Sequence, residues 1–305
     1  MTITIEHIEE LQGAKVLLEN ISMTARISGT IGSPLEKALN ALPQSAHDKI
    51  VEITTKSLDA ALNAAITTIH REIKQKQGLS NSLAAEVSAA SDSPVKPSNF
   101  LHKIGVALTG AVGGAFGLPA LAIELPLSTT VMLRSIADIA KSHGENLDTR
   151  DAQLACISVF ALGGPQTTDD AVETGYFGVR SALAKAVTDA AKHVAAYGAS
   201  QTGAPVINRF ISAVATRFSI PVSEKVAAQS VPIIGAAGGA VINTAFIQHF
   251  QDIAQGHFTV RRLEKIYGTE AVREVYNCLP KQKPKTSRKS ETSTTVTTNH
   301  NPEAP

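Results

Sequence analysis

Two long stretches of this chain carry no charge, and whatever covers them decides the fold. Ile104 to Ile123 is twenty residues without Asp, Glu, Lys, Arg or His, with glycine at 105, 110, 113, 114 and 117. It meets Glu124, Pro126, Arg134 and Asp138 on an amphipathic continuation that runs to Gly144. Val226 to Gln248 is twenty-three residues equally free of charge, with Pro232, Gly235, Gly238 and Gly239. Both reach the roughly 20 residues that a membrane-spanning helix needs, but Pro119 and Pro232 break them. Buried core helices are therefore preferred to spanning ones, hinged at Gly117-Leu118-Pro119 and packed against each other. A membrane-inserted helical hairpin is the alternative.

The 305 residues are 43% hydrophobic but only 4% aromatic, with no Trp, so the core must come from Ala, Val, Ile and Leu. Formal net charge is +1. It is unevenly spread: from 281 onward five basic residues, Lys281, Lys283, Lys285, Arg288 and Lys289, face two acidic ones, a net of +3. The body is left slightly acidic, which excludes a nucleic-acid binder, because phosphate contacts need a clustered basic face. Cys156 and Cys278 lie in apolar helical contexts without metal-ligand spacing. The acidic start MTITIEHIEELQG lacks the features of a signal peptide. A cytoplasmic setting is expected.

Along the chain nearly everything reads as helix. A short alternating TITI suggests a strand before a first helix ending near Gly29. Ser33-Pro34-Leu35-Glu36 is a capping box with proline at the first helical position, starting a helix that ends near Pro43. From Ser45 to Gln77, Val51, Leu58, Leu62, Ile66, Ile69 and Ile73 line one face of a long helix closed by Gly78. Residues 79–98 are Ser/Ala-rich with two prolines and read as a linker. Further helices are expected from Asp148 to Gly163, from Thr167 to about Gly198, over Val206–Phe218 and Pro221–Ser230 with a break at Pro221, and from Pro232 to Gln255. Thr259–Tyr267, capped by Gly268, and Thr269–Cys278 follow. The expectation is an all-α, irregular multi-helix bundle with two central glycine-rich apolar helices. It divides into an N-terminal helical region (1–78), a linker (79–98), a main helical domain (99–279) and a disordered basic Ser/Thr/Lys tail (280–305).

Glu124 is the carboxylate that stands out on chemical grounds, because it interrupts an apolar run and a lone buried carboxylate is costly. A pairing with Arg134, or capping of a helix start at Pro126, is preferred to a catalytic role. Arg134 and Asp138 stand at i and i+4 and suit a helix-surface pair. His249 and Asp252 share a face, with His257 and Arg261 just beyond, yet no HExxH or paired CxxC marks a metal centre. The catalytic candidates are thus Glu124, His249, Asp252 and His257, as in a hydrolase-like cleft. His143 with Cys156 is too common a pair to carry weight. Gly113xxxGly117 and Gly235xxxGly239 suit close backbone approach. GAVGGAFG contains neither GK[ST] nor a GxGxxG after a strand, so nucleotide binding is set aside and no cofactor is expected.

Gly117 to Glu145, Cys156 to Gly164 (CISVFALGG) and Val231 to Gly268 together resemble the EcsC family, over roughly Phe100 to Gly268. The resemblance implies a bacterial, mainly helical protein with transporter or envelope association and no catalytic residues to carry over. Glu124, Arg134, Phe160, Gly163, Gly235, Gly239, His257 and Arg261 are the positions it draws attention to. The function expected is a non-enzymatic helical protein on the cytoplasmic membrane face, its partner a membrane surface or an ABC-transporter-type membrane protein.

Overall fold

A computed structural model describes residues 3–19, 34–82, 117–164, 175–197, 204–231 and 235–280. Within them the chain is helical and has no strand; Ile3 and Thr4, where TITI suggested one, simply lead into the first helix. The helices are α1 (Ile5–Glu19), α2 (Pro34–Asn40), α3 (Gln44–Ser82), α4 (Gly117–Ser142), α5 (Arg150–Leu162), α6 (Tyr176–Tyr197), α7 (Pro205–Gln229), α8 (Gly235–Tyr267) and α9 (Thr269–Cys278).

The centre of the bundle is α5. All eleven residues from Ala152 to Leu162 are buried, enclosed by α4, α6, α7 and α8. A helix covered all round is a core element. Its polar members are satisfied locally: Ser158 donates to the Leu154 carbonyl at 2.8 Å, and Gln153 donates to that of Leu147 at 2.8 Å. Thr149 caps the start by accepting from the Ala152 amide. One aromatic cluster lies here, with Phe160 of α5 against Phe218 of α7 and Phe250 of α8 at ring separations of 4.7 and 5.4 Å.

α1 lies on α8, and α3 on α4 and α7, and both contribute to the core of the described residues. α3 itself continues past Gly78 to Ser82. The rest of the expected 79–98 linker, the segment 104–116 with Gly113, the expected helix start at 167–174 and the tail beyond 280 lie outside the described residues.

Three expected breaks are absent. Pro126 lies inside α4, so no helix starts there. Pro221 lies inside a continuous α7, where every residue from 221 to 228 is buried. The carbonyl Pro221 leaves without its amide partner is that of Arg217, and Gly164 packs on it, a Cβ there falling 3.1 Å from the oxygen. Gly256 does not end α8, which runs on to Tyr267. There the glycine admits α1: an added Cβ would sit 2.8 Å from Leu18 Cγ and 3.0 Å from the Ala14 carbonyl oxygen. Close approach thus occurs at Gly256, Gly163 and Gly164, and not at Gly239, where a Cβ would meet nothing within 4 Å.

α4 and α8 run parallel. Ser135 with Gln251, His143 with Thr259 and Glu145 with Arg261 are hydrogen-bonded pairs, each 116 residues apart. A constant offset with increasing numbers on both helices fixes direction and register, and it sets Val241 level with Leu125. The chain leaves α4 through Gly144 (φ 78°), where the Glu145 amide reaches the Ala140 carbonyl and the Gly144 amide that of Lys141. This Schellman ending needs a left-handed residue, which glycine supplies.

Candidate functional site

Glu124 projects from the first turns of α4, and its partner is Lys225 of α7. Lys225 is 1% exposed and Glu124 17%. Below the ammonium lies the Phe246 ring of α8, 4.9 Å from Nζ to centroid. Burial pulls the Lys225 pKa down, opposed by the charge and hydrogen bond of Glu124. One carboxylate and one ammonium thus meet where three helices converge, which answers how an apolar run tolerates Glu124. The expected partner, Arg134, is instead exposed on α4 with Asp138, and no ion pair joins those two among the described residues.

Around this pair the helix ends are apolar. Ile123 is 73% exposed, Leu127 43% and Val241 50%. Ile123 and Leu127 share one face of α4 at i and i+4, and the α4–α8 register brings Val241 to the same level. No charged residue lies on α8 before His249.

The histidines of α8 serve two other places. His249 Nε2 donates to the Gly163 carbonyl at 2.7 Å, capping the end of α5. Asp252 accepts from Gln248 at 2.8 Å. His257, eight residues and roughly 12 Å further along the helix, meets Tyr176 of α6, with Tyr176 Oη 2.8 Å from its Nδ1. Arg180 donates to Tyr176 at 3.2 Å and holds Glu264 with two bonds of 2.8 and 3.0 Å. Arg261 binds Glu145 at 2.8 Å and Asp151 at 2.7 Å, and Lys265 adds a bond to Glu145 at 2.9 Å. Burial would raise the Glu145 carboxyl, but Arg261 and Lys265 outweigh it and hold the group below its ordinary range. Cys156 is no nucleophile in this setting, since burial, with Glu145 nearby, pushes its thiol up to about 12.

The four residues expected to form a hydrolytic cleft have different partners: Glu124 binds Lys225, His249 caps α5, Asp252 accepts from Gln248, and His257 meets Tyr176. Among the described residues no three of His, Cys, Asp and Glu are grouped as metal ligands would be, and no helix is long and apolar enough to cross a membrane. Gly117 and Gly235 are the first residues of α4 and α8. Sequence reasoning missed Lys225, Tyr176 and Arg180. Lys225 had a signal, a cation beside the apolar run that starts at Val226, complementary to the carboxylate that ends the apolar run at Ile123; Tyr176 and Arg180 had none.

Residues 6–263 match the profile of the EcsC protein family, reaching N-terminally well beyond the three blocks that carried the resemblance. No curated protein and no solved structure matches the chain.

Proposed function

We propose, from the premise that the chain belongs to the EcsC family, that it is a non-enzymatic helical protein docking reversibly on the cytoplasmic face of a membrane through the first turns of α4 and α8. One observation carries this reading: Ile123, Leu127 and Val241 are exposed on the first turns of two helices in parallel register, where the carboxylate of Glu124 is neutralised by Lys225. Clustered exposed apolar side chains rimmed by few charges suit an apolar or interfacial partner. Full burial of such a side chain is worth roughly 1.5–3 kcal/mol. Three partly exposed ones supply a few kcal/mol, enough for reversible association. The basic residues from Lys281 to Lys289 would add at most about 1 kcal/mol each on an anionic surface.

The test is flotation with phosphatidylglycerol-rich vesicles of the full chain, of the chain ending at residue 280, and of the triple variant Ile123→Asp, Leu127→Asp, Val241→Asp. The full chain should float, the shortened chain less, and the triple variant should stay with the soluble fraction while keeping its helical circular dichroism. Failure of the full chain to float removes the lipid reading. Binding only to native membranes, abolished by protease treatment of those membranes, would transfer the surface to a membrane-protein partner.

A further inference from the structure

A second feature lies away from the α4 tip, where α5, α6, α8 and α9 enclose a cleft of about 280 Å³. That is near the lower bound of roughly 300–1,000 Å³ for small-molecule sites. Its lining divides by chemistry. Phe177, Leu183 and Val187 of α6 give an apolar wall; Arg180, Arg261, Arg273 and His257 face it from the other elements and the start of α6. No carboxylate belongs to the lining. Glu264, Glu145 and Asp151 instead fix Arg180 and Arg261 by the bonds given above, orienting guanidinium groups without presenting acceptors to the cleft.

His257 completes the arrangement. A guanidinium can only donate, so Tyr176 Oη accepts from Arg180; in the neutral ring, donation of the Tyr176 hydroxyl to His257 Nδ1 leaves fewer buried polar atoms unmet than the opposite tautomer. Burial, assisted by Arg180 and Arg261, keeps the imidazole neutral, with a pKa well below its ordinary value. With Nδ1 accepting, the single ring proton must sit on Nε2. That atom is buried without a hydrogen-bond partner on a side chain only 3% exposed. A buried donor left unmet is costly, of the order of 1–3 kcal/mol, and such an orphan in a cleft points to a ligand.

We propose that this cleft binds a small amphiphilic organic anion. Its charged oxygens are received by Arg180, Arg261, Arg273 and the Nε2–H of His257, and its apolar body lies against Phe177, Leu183 and Val187. The site offers donors and apolar surface, so it selects an acceptor-only group on a hydrocarbon or aromatic body. It rejects a cation by charge and a neutral alcohol by the donors that would stay unmet.

Isothermal titration of the full chain with octanoate, octyl phosphate, octanol, octylammonium and inorganic phosphate tests this directly. Saturable submillimolar binding of octanoate or octyl phosphate is expected, at least tenfold tighter than that of octanol, octylammonium or phosphate alone. Arg273→Gln should weaken it about tenfold and Val187→Glu should abolish it. Lys141→Gln, which removes the same charge from an exposed position of α4 outside the cleft, should leave it within twofold. Circular dichroism verifies that each variant is folded. The ligand comparison on the unaltered chain needs no variant. Absence of saturable binding by both octyl anions, octanol binding as tightly as octanoate, or equal loss in Arg273→Gln and Lys141→Gln would overturn the proposal. None of these results bears on vesicle flotation, so the two readings fail separately.

Discussion

Replacing Glu124 by Leu leaves the Lys225 ammonium in place with its counter-charge gone. Breaking a buried pair by removing one partner costs about 3–5 kcal/mol, because the surviving charge is uncompensated. Lys225 has one way out, which is to release its proton. From an unfolded-state pKa of about 10.4, holding a lysine neutral costs about 4.6 kcal/mol at pH 7 and about 1.9 kcal/mol at pH 9. These are ceilings on the penalty, so Glu124→Leu should lose about 3–4 kcal/mol at pH 7 and less than about 2 at pH 9. The sign follows from linkage. In the variant burial acts on Lys225 without the opposing charge and hydrogen bond of Glu124, so the folded pKa is depressed further than in the parent; between that pKa and about 10.4 the unfolded chain binds one more proton, and stability rises with pH. Urea unfolding by circular dichroism at pH 7, 8 and 9, with Lys225→Met and the double variant completing the cycle, measures it. The double variant should lie within about 1 kcal/mol of the parent, since a well-packed apolar pair often replaces a buried ion pair without loss. A pH-independent penalty, or a single-variant cost below 1 kcal/mol, would refute the claim that Lys225 is held charged in a dry site.

Other consequences follow from the glycines, the acidic network and the cysteines. Gly256→Ala should cost about 1–3 kcal/mol, because the Ala14 carbonyl 3.0 Å from the new Cβ is backbone and cannot swing away. Gly239→Ala, entering open space, should gain up to about 1 kcal/mol from helix propensity; chemical unfolding of the two variants compares them. Glu145 has a folded pKa below its unfolded value, so its contribution is present above about pH 4.3 and lost as pH falls through the folded pKa. Glu145→Gln should therefore be less stable at pH 7 and show a flatter acid-unfolding profile than the parent. At pH 8 a thiol reagent should label Cys278, which is exposed, and spare buried Cys156 until urea unfolds the chain.

Most helices were legible because the forces that set them are local. The capping box before Pro34, the stripe through Leu58 and Leu62, and the Gly268 stop act within three or four residues, and each corresponds to an element. The errors fell where burial overrode local preference. Pro221 and Gly256 read as breaks because both weaken an isolated helix, yet α7 and α8 pass through them: every residue from Pro221 to Ala228 is packed, and Gly256 makes room for Leu18.

The candidate site was half legible for a related reason. The sequence by itself determined that Glu124 needed compensation, that the chain is an all-α bundle, and that residues Gly117–Glu145, Cys156–Gly164 and Val231–Gly268 carry a family pattern, since composition and short-range spacing suffice for each. Only the tertiary structure decided that Lys225, 101 residues away, neutralises Glu124. Only the side-chain bonds that join α6 to α8 decided that Tyr176 orients His257, and only the 116-residue register of α4 and α8 set Val241 level with Leu125. Those pairings depend on helix direction and register across the core. They are fixed by how side chains interdigitate between helices, and that leaves no trace in the spacing along any one of them.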